Sequence, residues 1–158
     1  MSVEVWLRGK PVSVDPLQNL VLCTFEQAHE EVALHVTAAT LWLRPLGMTP
    51  LGYHVRHMAG SVDRLLTYAE GGQLSEQQMA EMRGENDELS LEALTEILKA
   101  KLDPLRVLRL EPSSFRESRY IGRKRIEVPL GTLLGHVAEH TQRHLGQIAT
   151  TAKLLKAL

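Results

Sequence analysis

The amino-acid sequence predicts an all-α fold, in which residues 1–158 form one four-helix bundle with a long crossover connection. Three observations lead to this prediction. Apolar residues recur at helical spacing in four long segments. Residues that start and stop helices bound these segments, and a long polar stretch separates the last two. A chain of 158 residues can also bury a core of its own.

The first two helices are marked by aspartate or threonine followed by proline. The first is predicted to begin at Asp15–Pro16, where aspartate caps and proline suits the first helical position, and to run to about Thr40. Thr49–Pro50 repeats this signal and opens the second helix. That helix is predicted to end at Gly71–Gly72, because glycine readily adopts the left-handed conformation at a helix end.

Serines mark the start of the next two helices. A short surface helix is predicted from Ser75 to Arg83. Ser90 caps the third long helix, which is predicted to run to about Arg109. Pro104 lies inside this segment and should kink or end the helix, because proline lacks the N–H that a helix interior needs.

A long polar connection precedes the last helix. It spans residues 111–128 and is rich in arginine, with a short extended piece expected at residues 120–128. The fourth long helix is predicted from about Pro129 to Leu155, where apolar residues again follow helical spacing.

Composition excludes several classes of function. The formal net charge of −1 and the aromatic content of 4% argue against a nucleic-acid binder. No apolar run is long enough for a membrane span, so no membrane partner is expected. The single cysteine, Cys23, suits a reducing compartment, and the expected location is the cytoplasm.

Three histidines, His136, His140 and His144, recur every fourth residue of the predicted fourth helix. Residues four apart lie about one turn above each other, so two imidazoles at this spacing can bind one metal ion. Periodicity places His140 and His144 in the middle of the core-facing stripe and His136 at its edge. Histidines held by hydrogen bonds alone are common, but two on one stripe bring four ring nitrogens that need partners.

A third ligand from another helix would complete a site with one position open. The second helix offers His54 and His57. Periodicity slightly favours His54 as the inward residue. His57 instead shares its row with Tyr53, Ser61, Arg64 and Tyr68, and such a row fits the wall of a partly wet pocket equally well.

Two motifs, in order along the chain, resemble those of the DinB-like superfamily of bacterial metal-binding four-helix bundles. They are Gly52-Tyr53-His54-Val55-Arg56-His57-Met58-Ala59-Gly60-Ser61 on the second helix and His140-x-x-x-His144-Leu145-Gly146-Gln147 on the fourth. The resemblance covers nearly the whole chain. It implies an up-up-down-down bundle, frequent homodimers and a divalent metal, most often nickel or zinc.

The resemblance also implies which histidines bind the metal. The matching positions are His57, His140 and His144, and this match overrides the preference of periodicity for His54. His54 then becomes a residue that lines the pocket or supports a ligand. The resemblance assigns no role to His136.

Some members of the superfamily resemble transferases that use small thiols such as bacillithiol, mycothiol or glutathione. We therefore expect a metal-dependent enzyme for a small-molecule substrate, either a thiol-dependent S-transferase or a hydrolase. The metal would act as a Lewis acid or lower the pKa of a bound water or thiol. Glu139, His54 and Tyr120 are the candidate general acids or bases, although an exposed helix face is the commoner setting for Glu139 and a loop anchor for Tyr120.

The alternative is a non-catalytic protein, either a metal or small-molecule binder or a dimeric stress-response module. A bound metal with an exchangeable ligand would favour catalysis. The inverted zinc-peptidase pattern of His136-Val137-Ala138-Glu139-His140 is rejected, because that class takes an acidic ligand from downstream and no Asp or Glu follows Glu139. The arginines of residues 116–125 predict a solvated loop, with a pocket mouth for an anionic substrate as the alternative.

Overall fold

The computed structural model describes residues 3–8, 15–104 and 109–158. In chain order, the helices and strands are α1 (Pro16–His35), α2 (Leu51–Ala69), α3 (Glu76–Arg83), α4 (Leu91–Leu102), β1 (Ser118–Ile121), β2 (Ile126–Pro129) and α5 (Leu130–Ala157). Short 3-10 turns lie at Val5–Leu7, Pro45–Gly47 and Pro112–Arg116. Across the described part of the chain, no helix has the length and apolar character needed to cross a membrane.

Four long helices form a bundle in which α5 is the central element. Helix α5 packs against both α1 and α2, α2 also packs against α4, and α4 contacts α1. Consecutive helices α1 and α2 therefore stand at opposite corners, as do α4 and α5, and the connections between them cross the bundle. This is the predicted four-helix bundle, in which up-up-down-down order makes every neighbouring pair antiparallel.

Helix α5 is buried over a wider face than the apolar pattern indicated. Its buried residues span an arc of about 140° at 100° per residue, because neighbours cover it from two sides. Leu134 and Leu145, which lie outside the core-facing stripe that periodicity indicates, are buried within the chain itself. The centre of this arc lies away from His140, which is half-buried at its margin.

Two helices end earlier than their apolar patterns predicted. Helix α1 stops at His35 rather than near Thr40, because the chain turns where the N–H of Thr40 donates to the carbonyl of Thr37. Helix α4 stops at Leu102, two residues before Pro104, which ends the helix as proline should. Of the continuation predicted to Arg109, residues 105–108 lie outside the described residues.

The polar connection contains an antiparallel hairpin where one short extended piece was expected. Ser118 pairs with Pro129 and Ile121 with Ile126, around a turn in which Gly122 adopts a φ of 66°. The hairpin is tied to the bundle by Arg119, whose Nε donates to the carbonyl of Ala69 at the end of α2 at 2.7 Å. A carbonyl in the last turn of a helix has no partner within the helix, so this contact also completes α2.

The first connection is fixed by the close approach of Gly52 to Trp42. A Cβ atom on Gly52 would lie 2.7 Å from Cζ2 of Trp42. The indole Nε1 of Trp42 donates to the carbonyl of Leu89 at 2.7 Å, so the ring joins this connection to the segment before α4. Gly52 is therefore required by packing although it lies in the first turn of α2.

We expect Gly52→Ala to lower the free energy of unfolding by about 1–3 kcal/mol, the usual cost of forcing an added carbon into a packed contact. Gly146→Ala is the matched control, because Gly146 lies on an exposed face of α5 with nothing within 4 Å of an added Cβ. That control should equal or exceed the wild type, since alanine is the better helix former. Denaturant unfolding of the three proteins measures the difference, and equal stability of the two variants would contradict the packing argument.

Candidate metal centre

The three histidines of α5 do not share one environment. His144 lies inside the buried arc of the helix, His140 lies half-buried at its margin, and His136 is exposed. This gradient follows from the 100° step of the helix, since each move of four residues rotates a side chain by about 40°. His136 instead pairs with Glu139, with Nδ1 and Oε2 at 3.1 Å. The recurrence of histidine therefore contributes two imidazoles, not three, to the cluster with α2.

The two histidines of helix α2 differ in how deeply they are buried. His54 is buried, with 5% of its surface exposed, so periodicity correctly indicated it as the inward residue. His57 is half-buried and stacks on Tyr53, with ring centroids 5.3 Å apart. Because His57 lies one turn further along α2 and nearer the surface, it is placed beside an opening rather than within the core.

His57, His140 and His144 converge where α2 and α5 pack together. One ring nitrogen from each lies within 4.8 Å of the others. The centroids of the rings are 4.6 Å apart for His140 and His144 and 4.7 Å for His57 and His144. Three imidazoles at this spacing can converge on one ion, and imidazole nitrogen suits zinc, nickel, copper or iron. Their role as metal ligands stays a prediction.

In two histidines of this cluster, Nδ1 is engaged by a neighbouring side chain. Nδ1 of His144 lies 3.0 Å from Nδ1 of His54, so one of the two rings donates and the other accepts. Nδ1 of His57 lies 2.6 Å from Oε2 of Glu85, and it donates because a carboxylate can only accept. Nε2 of His57 then accepts from Oγ of Ser61 at 3.3 Å, so an ion at this nitrogen would replace the serine proton.

Glu85 is a residue of the site that the sequence reasoning missed. It lies in the loop that follows α3 and is only 5% exposed. Its Oε1 lies 2.8 Å from Nη2 of Arg64, which is itself buried. The surrounding run, Gly84-Glu85-Asn86-Asp87-Glu88, is polar throughout and gives no periodic signal that would separate one inward carboxylate from its exposed neighbours.

The electrostatics of the cluster fit a metal ion. Burial, reinforced by the neighbouring histidines, lowers the pKa of His140 to about 4 and that of His144 to about 3. Both imidazoles are therefore neutral at pH 7 and offer lone pairs. Burial also raises the pKa of the Glu85 carboxyl, but the hydrogen bond from His57 and the charge of Arg64 outweigh it and hold that pKa below its ordinary value. Among the described residues, the buried Nδ1 of His140 finds no hydrogen-bond partner.

A cavity of about 240 Å³ opens beside the cluster. Its wall combines the imidazoles and hydroxyls of the site with an apolar side, and it is lined by His57, Ser61, Arg64, Leu65, Tyr68, Leu74, Met82, His136 and His140. A small molecule in this cavity would lie directly against two of the three converging histidines. His136, to which the resemblance assigned no role, stands at the edge of the same cavity.

The three candidate general acids or bases, Glu139, His54 and Tyr120, do not line the cavity. Glu139 is exposed and pairs with Arg143 and His136, as a solvated helix face predicts. Tyr120 is exposed on the hairpin and lies under the guanidinium of Arg125, with 4.8 Å from Cζ to the ring centroid. His54 supports His144 from within the core. None of these three residues, and none of the arginines between residues 116 and 125, belongs to the cavity lining.

Comparison with known proteins supports the fold. No family model matches the chain, and no curated protein matches it in sequence. Among solved structures, it is similar to YfiT from Bacillus subtilis, with a TM-score of 0.64, 15% identity and 91% of each chain covered. YfiT is described as a probable metal-dependent hydrolase with an unusual four-helix bundle topology. At this identity the likeness establishes a shared fold, which is the fold that the DinB-like resemblance implied.

We expect His140→Ala to remove most of the affinity for zinc or nickel, whereas His136→Ala should keep it within about twofold. His140 belongs to the converging set, and His136 is turned outward to Glu139. Calorimetric titration of metal-stripped protein measures both affinities. Circular dichroism should show unchanged helicity in His140→Ala, because the apolar core carries the fold. Loss of affinity in His136→Ala alone would refute the assignment of ligands.

Proposed function

We propose that this protein is a metal-dependent hydrolase of small molecules, with one zinc or nickel ion held by His57, His140 and His144. The observation that carries the proposal is the convergence of three imidazoles at the side of an open cavity. A structural metal site in a bundle would be enclosed by four protein ligands, whereas a catalytic site keeps a position for water or substrate. The description of YfiT as a probable metal-dependent hydrolase supports the same reading.

The ion, when bound, would supply Lewis acidity and lower the pKa of a water molecule at the open position. Side chains of the protein would supply the hydrogen bonds and the proton exchange. Ser61 accepts a hydrogen bond from Nη2 of Arg64 at 3.2 Å, and its own proton points to Nε2 of His57. Once an ion occupied that nitrogen, the proton of Ser61 would be available to a group bound beside His57. His136 stands at the cavity edge, where an exposed imidazole can exchange protons with solvent.

The lining of the cavity supports a proposal for the kind of substrate. Leu65, Tyr68, Leu74 and Met82 form an apolar side, and Arg64 faces the cavity with its charge matched by Glu85. A volume of about 240 Å³ is small for a ligand pocket, so a compact molecule is expected. The substrate we infer carries a short apolar group next to the bond that is hydrolysed.

Transfer to an external thiol is the competing reaction, and it uses the same site. Cys23 does not supply that thiol, because it lies on α1 away from the cavity lining and burial raises its pKa, which disfavours the thiolate. Any thiol chemistry therefore depends on a small thiol from solution. Such thiols are kept reduced in the cytoplasm, which remains the expected location.

We expect metal-loaded protein to hydrolyse members of a panel of small esters, amides and lactones, while metal-stripped protein and His140→Ala are inactive. Cys23→Ser should retain wild-type turnover, because that thiol is remote from the site. A parallel assay with small thiols and electrophiles identifies S-transfer if turnover appears only there. Absence of turnover in both assays, with a metal that exchanges no ligand, would replace the enzyme by a metal-binding module.

We also propose that the protein is a homodimer, as the DinB-like resemblance implies. Helix α1 carries two exposed leucines, Leu20 and Leu34, which are 52% and 69% exposed and suit a covered face better than an open one. Light scattering at micromolar concentration should give twice the chain mass. A monomer mass at that concentration would contradict the proposal.

A further inference from the structure

Glu85 occupies a place that the fold alone does not explain. It is the one buried carboxylate among the residues that the structure describes, and it reaches inward from a loop rather than from a helix of the bundle. Burial of a carboxylate is costly unless hydrogen bonds and an opposite charge compensate it. A leucine at this position would fill the space without that cost. The carboxylate is therefore explained by what it contacts.

The two oxygens of Glu85 have separate partners. Oε2 accepts from Nδ1 of His57 at 2.6 Å, and Oε1 lies 2.8 Å from Nη2 of Arg64. Arg64 is on α2 two turns beyond His57, so both partners project from the same helix face towards the loop. One carboxylate thus joins a candidate metal ligand to a buried cation.

The surrounding backbone is shaped for this contact. A Cβ atom on Gly60 would lie 2.9 Å from Nη1 of Arg64 and 3.2 Å from Oε1 of Glu85. Glycine in a helix interior costs about 1 kcal/mol relative to alanine, so its presence here leaves room for the ion pair. The loop is held from its other side by Arg56, whose Nη1 donates to the carbonyl of Asp87 at 3.0 Å.

We propose that Glu85 is the positioning residue of the metal centre, which fixes the ring and the proton of His57 so that Nε2 faces the shared site. An ionised carboxylate accepts only, so it keeps the proton of His57 on Nδ1 and leaves the lone pair on Nε2. Carboxylates in this position orient metal-binding histidines and raise their basicity in many proteins. The inference rests on the proposed function, since it needs an ion at His57.

The test compares two carboxylate-to-amide variants. Glu85→Gln should weaken zinc affinity by about 10- to 100-fold, the usual effect of losing such a partner. Glu139→Gln is the matched control, because Glu139 adjoins His140 in sequence but is exposed and paired outward. Competition with a chromophoric chelator gives the zinc affinities, and the visible absorption of bound Co²⁺ reports whether His57 still coordinates. Thermal unfolding of the metal-free proteins shows whether Glu85→Gln is folded, so that weaker zinc binding by a folded variant can be assigned to the orientation of His57.

A second variant keeps every polar group of the site. Gly60→Ala should displace Arg64 and Glu85 and therefore also weaken zinc binding. If Glu85→Gln does not fold, the zinc affinity of Gly60→Ala tests the proposal instead. Wild-type affinity and an unchanged Co²⁺ spectrum in a folded Glu85→Gln protein would overturn the role of Glu85 while leaving the proposed metal centre intact. Failure of the wild type itself to bind zinc, nickel or cobalt would instead refute the metal centre, and this inference with it.

Discussion

The packing of α5 against α2 is the contact on which the site depends. Every histidine that converges there projects from one of these two helices, and their relative rotation decides which imidazoles meet. The rotation is set by apolar residues rather than by the histidines, since Val55, Met58, Val137 and Ile148 are fully buried along the same faces. The core therefore acts as the template for the polar cluster.

The arrangement also resolves an electrostatic conflict. Buried imidazoles are stable only when neutral, whereas a metal needs ligands that stay available without being protonated. Burial satisfies both conditions for His140 and His144, whose lowered pKa values keep them uncharged near pH 7. The full charges near the cluster are paired: Arg64 with Glu85 beside His57, and Arg143, whose charge also lowers the pKa of His140 and His144, with Glu139 on the exposed face. A neutral cluster thus leaves the charge of a bound ion as the dominant field in the cavity.

Most of the fold could be predicted from local sequence signals, and the site only in part. Capping residues and prolines act on their immediate neighbours, which is why the starts of the helices at Pro16, Leu51 and Leu91 lie within two residues of the sequence signals. The burial of α5 depends on neighbours from distant parts of the chain, so periodicity misplaced His140 in the middle of the buried face. The prediction of His57 rather than His54 likewise came from a family motif. Periodicity selects the most buried residue, whereas a site beside an opening uses the half-buried His57. Glu85 could not be predicted from the sequence, because the environment of a carboxylate in a loop is set only by tertiary packing.

A ring nitrogen of His140 lowers the stability of the bundle without a bound ligand. Nδ1 of His140 is buried without a hydrogen-bond partner among the described residues, and an unsatisfied buried polar atom typically costs about 1–3 kcal/mol. An aliphatic side chain in its place would fill the same space at no such penalty. Oγ1 of Thr151 is also buried without such a partner, but the atom on His140 belongs to the converging set, so a ligand that paired with it would remove a cost that the unliganded scaffold bears.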